Sequence, residues 1–280
     1  MVAIDRMRAS FGAASMPLKL IWINAAIFVV LRLAVVVGLL FGARDPLHAV
    51  LGAVELPSRL DMLARAPWTL ATYMFAQYDV LHILFNMLWL YWFGTMMLYR
   101  CTPAQMLVLY VYGGIGGAAL FLAAYNLLPL FDGSTGMLIG SSASVMAIVT
   151  ATAILMPDFG MRLLFIGVVK LKWIALATVA LVLLGVSGAN AGGEIAHVGG
   201  ILTGVAFALC LRQGRDITRP VRELFSHTRR RKSSPAPAPT IGDDDRRDLD
   251  AILDKIKRSG YSALTPAERR RLFEVSRNIK

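Results

Sequence analysis

The stretch IAHVGGILTGVAFALCL, residues Ile195–Leu211, decides how the chain is read. It carries no Lys, Arg, Asp or Glu and is long enough, within the range of about 17–25 residues, to cross a hydrocarbon core as a helix. Yet its third residue is a histidine, His197, with Gly200 and Gly204 three and seven residues further on, on roughly the same helical face. A polar side chain in an apolar span is costly. His197 is therefore either a helix–helix hydrogen-bonding group or a functional one, and the two glycines remove the bulk that would hold a neighbouring helix away.

Five further apolar runs precede it, at about residues 20–42, 70–99, 104–127, 142–156 and 173–187. With residues 195–211 they predict six spans. The fourth and fifth are short, which suits helices sheltered inside a bundle. The first exceeds the apolar core of a usual signal peptide and no A-x-A pattern follows it, so it reads as a retained helix. The expected fold is an all-α membrane protein, a six-transmembrane-helix bundle followed by a small helical tail.

Composition supports this. Of 280 residues, 56% are hydrophobic and 17% charged, and the mean hydropathy is +0.59; an ordinary soluble domain carries roughly 25% charged residues. Residues 1–211 hold 11 Lys+Arg against 8 Asp+Glu, whereas residues 212–280 hold 18 against 10. The net charge of +11 thus comes mostly from the tail. The body lacks basic clusters interleaved with aromatics, so no nucleic-acid partner is expected. Cys101 and Cys210 have no CxxC or CxxH spacing, and neither a disulfide framework, nor a metal site, nor a cofactor is indicated.

Charge also gives orientation. Arg6, Arg8 and Lys19 precede span 1, Arg100 follows span 2, Arg162, Lys170 and Lys172 lie between spans 4 and 5, and Arg212, Arg215, Arg219 and Arg222 follow span 6. In the opposite loops Arg44, Arg59 and Arg65 balance Asp45, Glu55 and Asp61, while Asp132 and Glu194 stand alone. The positive-inside rule then puts both termini in the cytoplasm, in agreement with an even number of spans.

Residues 1–19 form a cytoplasmic segment, 20–212 the membrane domain, 213–245 a basic and Pro-rich linker, and 246–280 a cytoplasmic helical hairpin that could meet a cytoplasmic partner. In the linker, Arg229–Lys232 reads as an anionic-lipid contact or a stop-transfer flank. In the hairpin, Leu249, Ile252, Leu253 and Ile256 recur at helical spacing, Gly260 is a stop, and Thr265-Pro266-Ala267-Glu268 has the pattern of a capping box.

Three polar constellations interrupt the spans. Gly140-Ser141-Ser142-Ala143-Ser144 runs a glycine-bearing loop into span 4. A serine there is an N-cap, or a group beside free backbone N–H donors that can hold an oxyanion. His197 heads span 6, and its Gly200 and Gly204 match the stripe Ala143, Ala147 and Ala151 of span 4, so the two helices can approach and the imidazole can reach a serine. A serine hydroxyl is a weak nucleophile that needs such a base. Third, His82 and Asn86 share a face of span 2 at i,i+4 spacing, where the amide can donate to an oxyanion. No carboxylate is expected within spans 4 or 6. Arg32, mid-way along span 1, must face a cavity, pair or snorkel, and the sequence names no partner. Asp79 is expected to contact water or the first loop.

Together these residues resemble the rhomboid intramembrane serine proteases: G-x-S-x at Gly140–Ala143, H-x-x-x-N at His82–Asn86 and H-x-x-G-x-x-x-G at His197–Gly204, on spans 4, 2 and 6, the similarity covering about residues 60–212. The resemblance is to the bacterial type, with a C-terminal cytoplasmic extension, and implies a rhomboid-like bundle in the inner membrane with a wet cavity open to the periplasm. It further implies Ser142 as nucleophile, His197 as general base with no third carboxylate, an oxyanion hole from Asn86, His82 and the backbone N–H of Ser142, and helix-packing support from Gly140, Ala143, Gly200 and Gly204. Substrates would be single-pass membrane proteins within the lipid bilayer. The loop 188–193, with Gly188, Gly192 and Gly193, is a movable cap or a passive turn. The chain departs from the family at Gln77, where many members carry a second histidine, at Thr69, where an arginine follows the tryptophan, and at Met146, where an aromatic often stacks on the base. The alternatives are an inactive rhomboid-like protein that binds membrane clients, and a small transporter or channel; the spans show no inverted repeat that would favour the last.

Overall fold

The computed structural model describes residues 11–163, 166–186, 190–230 and 243–278. Two compact units divide at Glu223/Leu224. The first contains the apolar helices α1 (Met16–Leu40), α5 (Val80–Met97), α6 (Pro103–Leu127), α7 (Ser142–Leu155), α8 (Leu171–Gly185) and α9 (Ala191–Arg212). Among the described residues, α1, α5, α6 and α9 are long and apolar enough to cross a membrane, while α7 and α8 are shorter apolar helices. The chain is an integral, multi-pass, mostly helical membrane protein.

The run expected at 70–99 does not form one helix. Its first part holds a one-turn helix, α4 (Thr69–Thr72), and a loop, and α5 begins only at Val80. Asp79 fixes that start: its carboxylate accepts the backbone N–H of His82 at 2.7 Å, satisfying an otherwise orphaned donor. Asp79 is exposed, as its expected contact with water requires, and it serves as a helix cap in addition. At α6, Thr102 and Gln105 form a reciprocal capping box and Pro103 occupies the first turn.

Helix α7 explains its own shortness. Ten of its fourteen residues are buried, from Ala143 to Ala153, against α5, α6 and α9, so it needs no lipid-facing belt of full bilayer length. Small residues let the backbones meet. A Cβ at Gly113 or Gly117 of α6 would lie 2.6 Å from the Cβ of Ala147 or Ala143, and one at Gly200 or Gly204 of α9 would lie 3.0 Å from the Cα of Ala143 or Ala147. Both glycines of α9 therefore face the α7 stripe, with Ala151 fully buried below.

The first loop contributes α2 (Pro46–Gly52), β1 (Leu56–Pro57) and α3 (Leu60–Arg65) before α4. Strand β1 pairs antiparallel with β2 (Met137–Leu138), Leu56 opposite Leu138. Ser58 and Gly136 exchange hydrogen bonds at 2.9 Å, and Asn126 Nδ2 donates to the Ser58 carbonyl. The loop is thereby tied to the segment that leads into α7. Trp68 Nε1 donates to the Ala53 carbonyl at 3.0 Å, and Thr69 is fully buried with its hydroxyl on the Ala66 carbonyl.

Arg32 also finds its account here. Its guanidinium donates to the carbonyl of Tyr78 and lies over the Tyr78 ring, 3.8 Å from the centroid, with Phe28 at 5.4 Å. Since Tyr78 lies two residues before α5, Arg32 stands at the level of that helix's start and not at mid-bundle.

At the opposite end, β3 (Gly160–Leu163) and β4 (Gly167–Lys170) form a hairpin between α7 and α8. Asp158 pairs with Lys172 and Lys170 at 2.9 and 3.0 Å, whose hydrogen bonds hold its carboxyl below the usual range. Beyond α9, Asp216 accepts from Thr218, Gln105 and Arg222; burial opposes its ionisation, but these hydrogen bonds hold its carboxyl low. Residues 219–230, expected to be linker, are helical as α10 (Arg219–Arg230), begun by a Pro220 in the first turn and an Arg219–Glu223 pair at 2.7 Å. Of the same expected linker, residues 231–242 lie outside the described residues, while 243–245 already belong to the first helix of the second unit.

The second unit holds α11 (Asp243–Ser259) and α12 (Pro266–Asn278). Gly260 stops α11 with φ 78°, and Thr265 and Glu268 form a capping box at α12. Ile252 and Leu264 are buried between the helices, Leu249 and Ile256 are half-buried and Leu253 is exposed. Lys255 clasps Glu268 at 2.8 Å.

Candidate active site

Helices α5, α7 and α9 alternate with α6 and α8 and so begin at the same end of the bundle. His82, Ser142 and His197 each lie in the first turns of one of them. Three positive dipole ends converge there.

The turn into α7 demands glycine. Gly140 has φ 129°, a conformation side chains rarely adopt, and a Cβ there would stand 2.9 Å from His82 Cε1 and 3.7 Å from Ser142 Oγ. The ring of His82 and the hydroxyl of Ser142 thus flank the same bare position. Gly140 N–H donates to the Tyr73 carbonyl at 3.0 Å, and the Tyr73 hydroxyl reaches the Gly114 carbonyl, so the turn is braced against α6. Ser142 is the first residue of α7, where backbone N–H groups have no acceptor within the helix.

The central contact joins α7 to α9: Ser142 Oγ lies 2.7 Å from His197 Nε2. The other ring nitrogen, Nδ1, lies 2.9 Å from Glu194 Oε2. The imidazole side chain is 16% exposed and the Glu194 side chain 22%, so the array is shielded but reachable by water. The expectation of no carboxylate in span 6 is corrected here. Helix α9 begins at Ala191, four residues before the apolar run, and this brings Glu194 onto the helix one turn ahead of His197. The same extension absorbs Gly192 and Gly193 of the expected cap loop into the first turn; Gly188 lies outside the described residues.

A second network lies beneath. Gln77, fully buried, donates from Nε2 to Ser141 Oγ at 3.1 Å and to Asn24 Oδ1 at 3.2 Å, and its Oε1 accepts from Asn86 Nδ2 at 2.8 Å. Asn24 Nδ2 donates to the Tyr110 hydroxyl, which donates in turn to the Met74 carbonyl. Ser141, expected as a cap, makes no side-chain cap and serves this network instead. Ser144 is buried against α6, with its hydroxyl unpartnered among the described residues. Asn86, 6% exposed, keeps one amide hydrogen beyond the bond to Gln77. Met146, half-buried, lies one turn past Ser142.

Sequence reasoning missed Glu194 and Gln77. The first had a legible signal, an acid three residues before a histidine; the second had only its position.

These features define a polytopic membrane protein with a hydroxyl–imidazole pair at the converging ends of three helices. The Rhomboid domain model matches residues 64–214, more than half of the chain, and the protein belongs to the rhomboid family, a family of intramembrane serine proteases. Residues 243–278 match a family of unknown function (DUF6576). No curated protein matches the chain.

Proposed function

We propose that the protein is an intramembrane serine endopeptidase that cleaves single-pass membrane proteins near the extracytoplasmic face, with Ser142 as nucleophile and His197 as general base. The observation that carries this is the 2.7 Å approach of Ser142 Oγ to His197 Nε2. It is the reach a general base needs to take the hydroxyl proton as the oxygen attacks a carbonyl carbon. His197 then returns the proton to the leaving amine, and a water releases the acyl-enzyme by the same route reversed.

The tetrahedral oxygen would be held by the Ser142 backbone N–H, the remaining Asn86 amide hydrogen and the His82 ring beside Gly140. Donors aimed at developing charge in a water-poor site contribute about 10²–10³ in rate each. A substrate helix hides its carbonyls in i→i−4 hydrogen bonds, so a segment that unwinds readily is the better substrate.

Six spans follow if α7 and α8 also cross. The burial of α7 among its neighbours supports this, because a sheltered helix is relieved of matching the full hydrocarbon thickness. Arg100, Arg162, Lys170, Lys172, Arg212 and Arg215 lie at the end opposite Ser142, which supports cytoplasmic termini in a bacterial inner membrane and a catalytic end facing the periplasm. Residues 243–278 would then be a cytoplasmic unit open to a protein partner.

The test uses purified full-length protein in liposomes with a transmembrane model substrate. The parent cuts it, and Ser142→Ala and His197→Ala each reduce cleavage by at least about 10³-fold, the scale of losing a nucleophile or base, with helicity unchanged. Cleavage that persists in both variants overturns the assignment. Stoichiometric binding without cleavage in the parent makes the protein an inactive client-binding member of the family.

A further inference from the structure

Glu194 is the one carboxylate that touches the Ser142–His197 pair among the described residues, and it does so on the nitrogen that the nucleophile does not use. A carboxylate can only accept a hydrogen bond. Facing Nδ1 at 2.9 Å, it selects the tautomer with hydrogen on Nδ1 and leaves the Nε2 lone pair pointing at the Ser142 hydroxyl. We infer that Glu194 is a positioning residue that turns the serine–histidine pair into a Ser142–His197–Glu194 triad. The inference rests on the protease reading and deepens it.

The geometry favours this over a purely local role. The acid sits in the first turn of α9, where any carboxylate would complement the helix dipole, but an exposed position would serve that purpose as well. Here the side chain is about four-fifths buried and turned onto the imidazole. It is also held from behind. A Cβ at Gly185, the last residue of α8, would lie 2.8 Å from Glu194 Cδ, so the bare glycine makes room for the carboxylate where α8 ends. Helix spacing does the rest, since i and i+3 stand on one face.

In the acylation step Ser142 Oγ forms the bond to the carbonyl carbon, its proton passes to His197 Nε2, and the imidazole becomes positively charged. The proton on Nδ1 stays there, hydrogen-bonded to Glu194, whose negative charge offsets the new positive one. When the C–N bond breaks, the Nε2 proton leaves with the amine and the ring returns to neutral. Glu194 gains and loses no proton, so its contribution is to orientation and to charge developed on the path.

The test uses the full-length protein in liposomes, measuring kcat and KM for a transmembrane model substrate. In parallel, a fluorophosphonate probe reports the labelling rate of Ser142 independently of peptide binding. Glu194→Gln keeps the shape and an acceptor oxygen but removes the charge, Glu194→Ala removes both, and Glu194→Asp restores charge on a shorter stem. The expected result is a fall in kcat and labelling of roughly 10-fold for Gln and 100-fold for Ala, partial recovery for Asp, and KM and thermal midpoint within error of the parent. Parent-like kcat in both Gln and Ala overturns the triad while leaving the protease reading intact. A loss confined to KM or matched by a lowered midpoint assigns Glu194 to α8–α9 packing and overturns it equally; if only Ala is destabilised, the isosteric Gln variant decides. If the parent cuts nothing, the protease reading fails, and the labelling series still decides whether Glu194 activates Ser142.

Discussion

A single methyl group at Gly200 should separate the nucleophile from its base. The Cβ of Gly200→Ala would lie 2.8 Å from the carbonyl carbon of Ala143 and 3.0 Å from its Cα, closer still to the oxygen. Carbon atoms in contact rest at about 3.5–4.0 Å, so α7 and α9 must part by about 1 Å. The obstacle is backbone, which cannot rotate aside as a side chain would. Overpacking of this kind costs about 1–3 kcal/mol. The displacement matters more than the cost. Ser142 stands on α7 one residue before Ala143, and His197 stands on α9 one turn before Gly200, so the 2.7 Å contact opens by a similar amount, toward about 3.7 Å and past hydrogen-bonding range. A misplacement of 1 Å lowers rates by about 10²-fold. The assay is fluorophosphonate labelling of Ser142 with a thermal melt alongside: labelling should fall about 100-fold while the midpoint drops only a few degrees. Gly200→Ala with parent-like labelling would refute the claim that this glycine sets the distance between nucleophile and base.

Further predictions concern the surrounding structure. Gln77→Leu, which strands Asn86, Ser141 and Asn24 without their shared partner, should destabilise the bundle by about 2–4 kcal/mol in thermal or denaturant unfolding, each unpaired buried group costing about 1–3 kcal/mol. The Cys101 thiol, buried in the turn between α5 and α6, is pushed up to about 11 by that burial and should resist maleimide at pH 7 until the protein is unfolded; fast labelling of the native protein would contradict it. The Glu268 carboxyl is lowered to about 2 by its hydrogen bonds to Lys255 and Thr265. Its contribution to the α11–α12 pair is thus full above the ordinary carboxylate range, near pH 4.5, and lost as pH falls through about 2, which methyl NMR of Ile252 and Leu264 in the full-length protein would follow.

Much of the fold is legible in the sequence because hydropathy and small-residue spacing are local signals. The stripe Ala143, Ala147, Ala151 and its counterpart Gly200, Gly204 follow from helical period alone, and the two capping boxes follow from residue types at fixed offsets. What hydropathy misplaces is a boundary. Residues 70–79 are as apolar as a span, yet the chain turns there because Asp79 caps a helix starting at Val80 and Gly140 N–H holds the Tyr73 carbonyl. Neither bond has a sequence period. The β3–β4 hairpin is similarly silent: four residues a side is too short for alternation to stand out, and the positive φ at Gly167 has no sequence period either.

The candidate site shows why composition-based boundaries hide chemistry. An apolar run ends where a charged residue or glycines begin, so span 6 reads from Ile195, and Glu194 falls into a loop by definition. Backbone hydrogen bonding obeys no such limit, and α9 starts at Ala191. Only then does Glu194 become the i−3 neighbour of His197 rather than a stray loop acid. Gln77 makes the same point from the other side. Measured against a histidine it reads as a loss, but its amide donates to Ser141 and Asn24 while accepting from Asn86. A neutral imidazole has one donor and one acceptor and cannot make all three bonds. The substitution therefore changes which groups are tied together beneath the nucleophile, and Asn86 is oriented in this chain by an amide on the segment leading into its own helix.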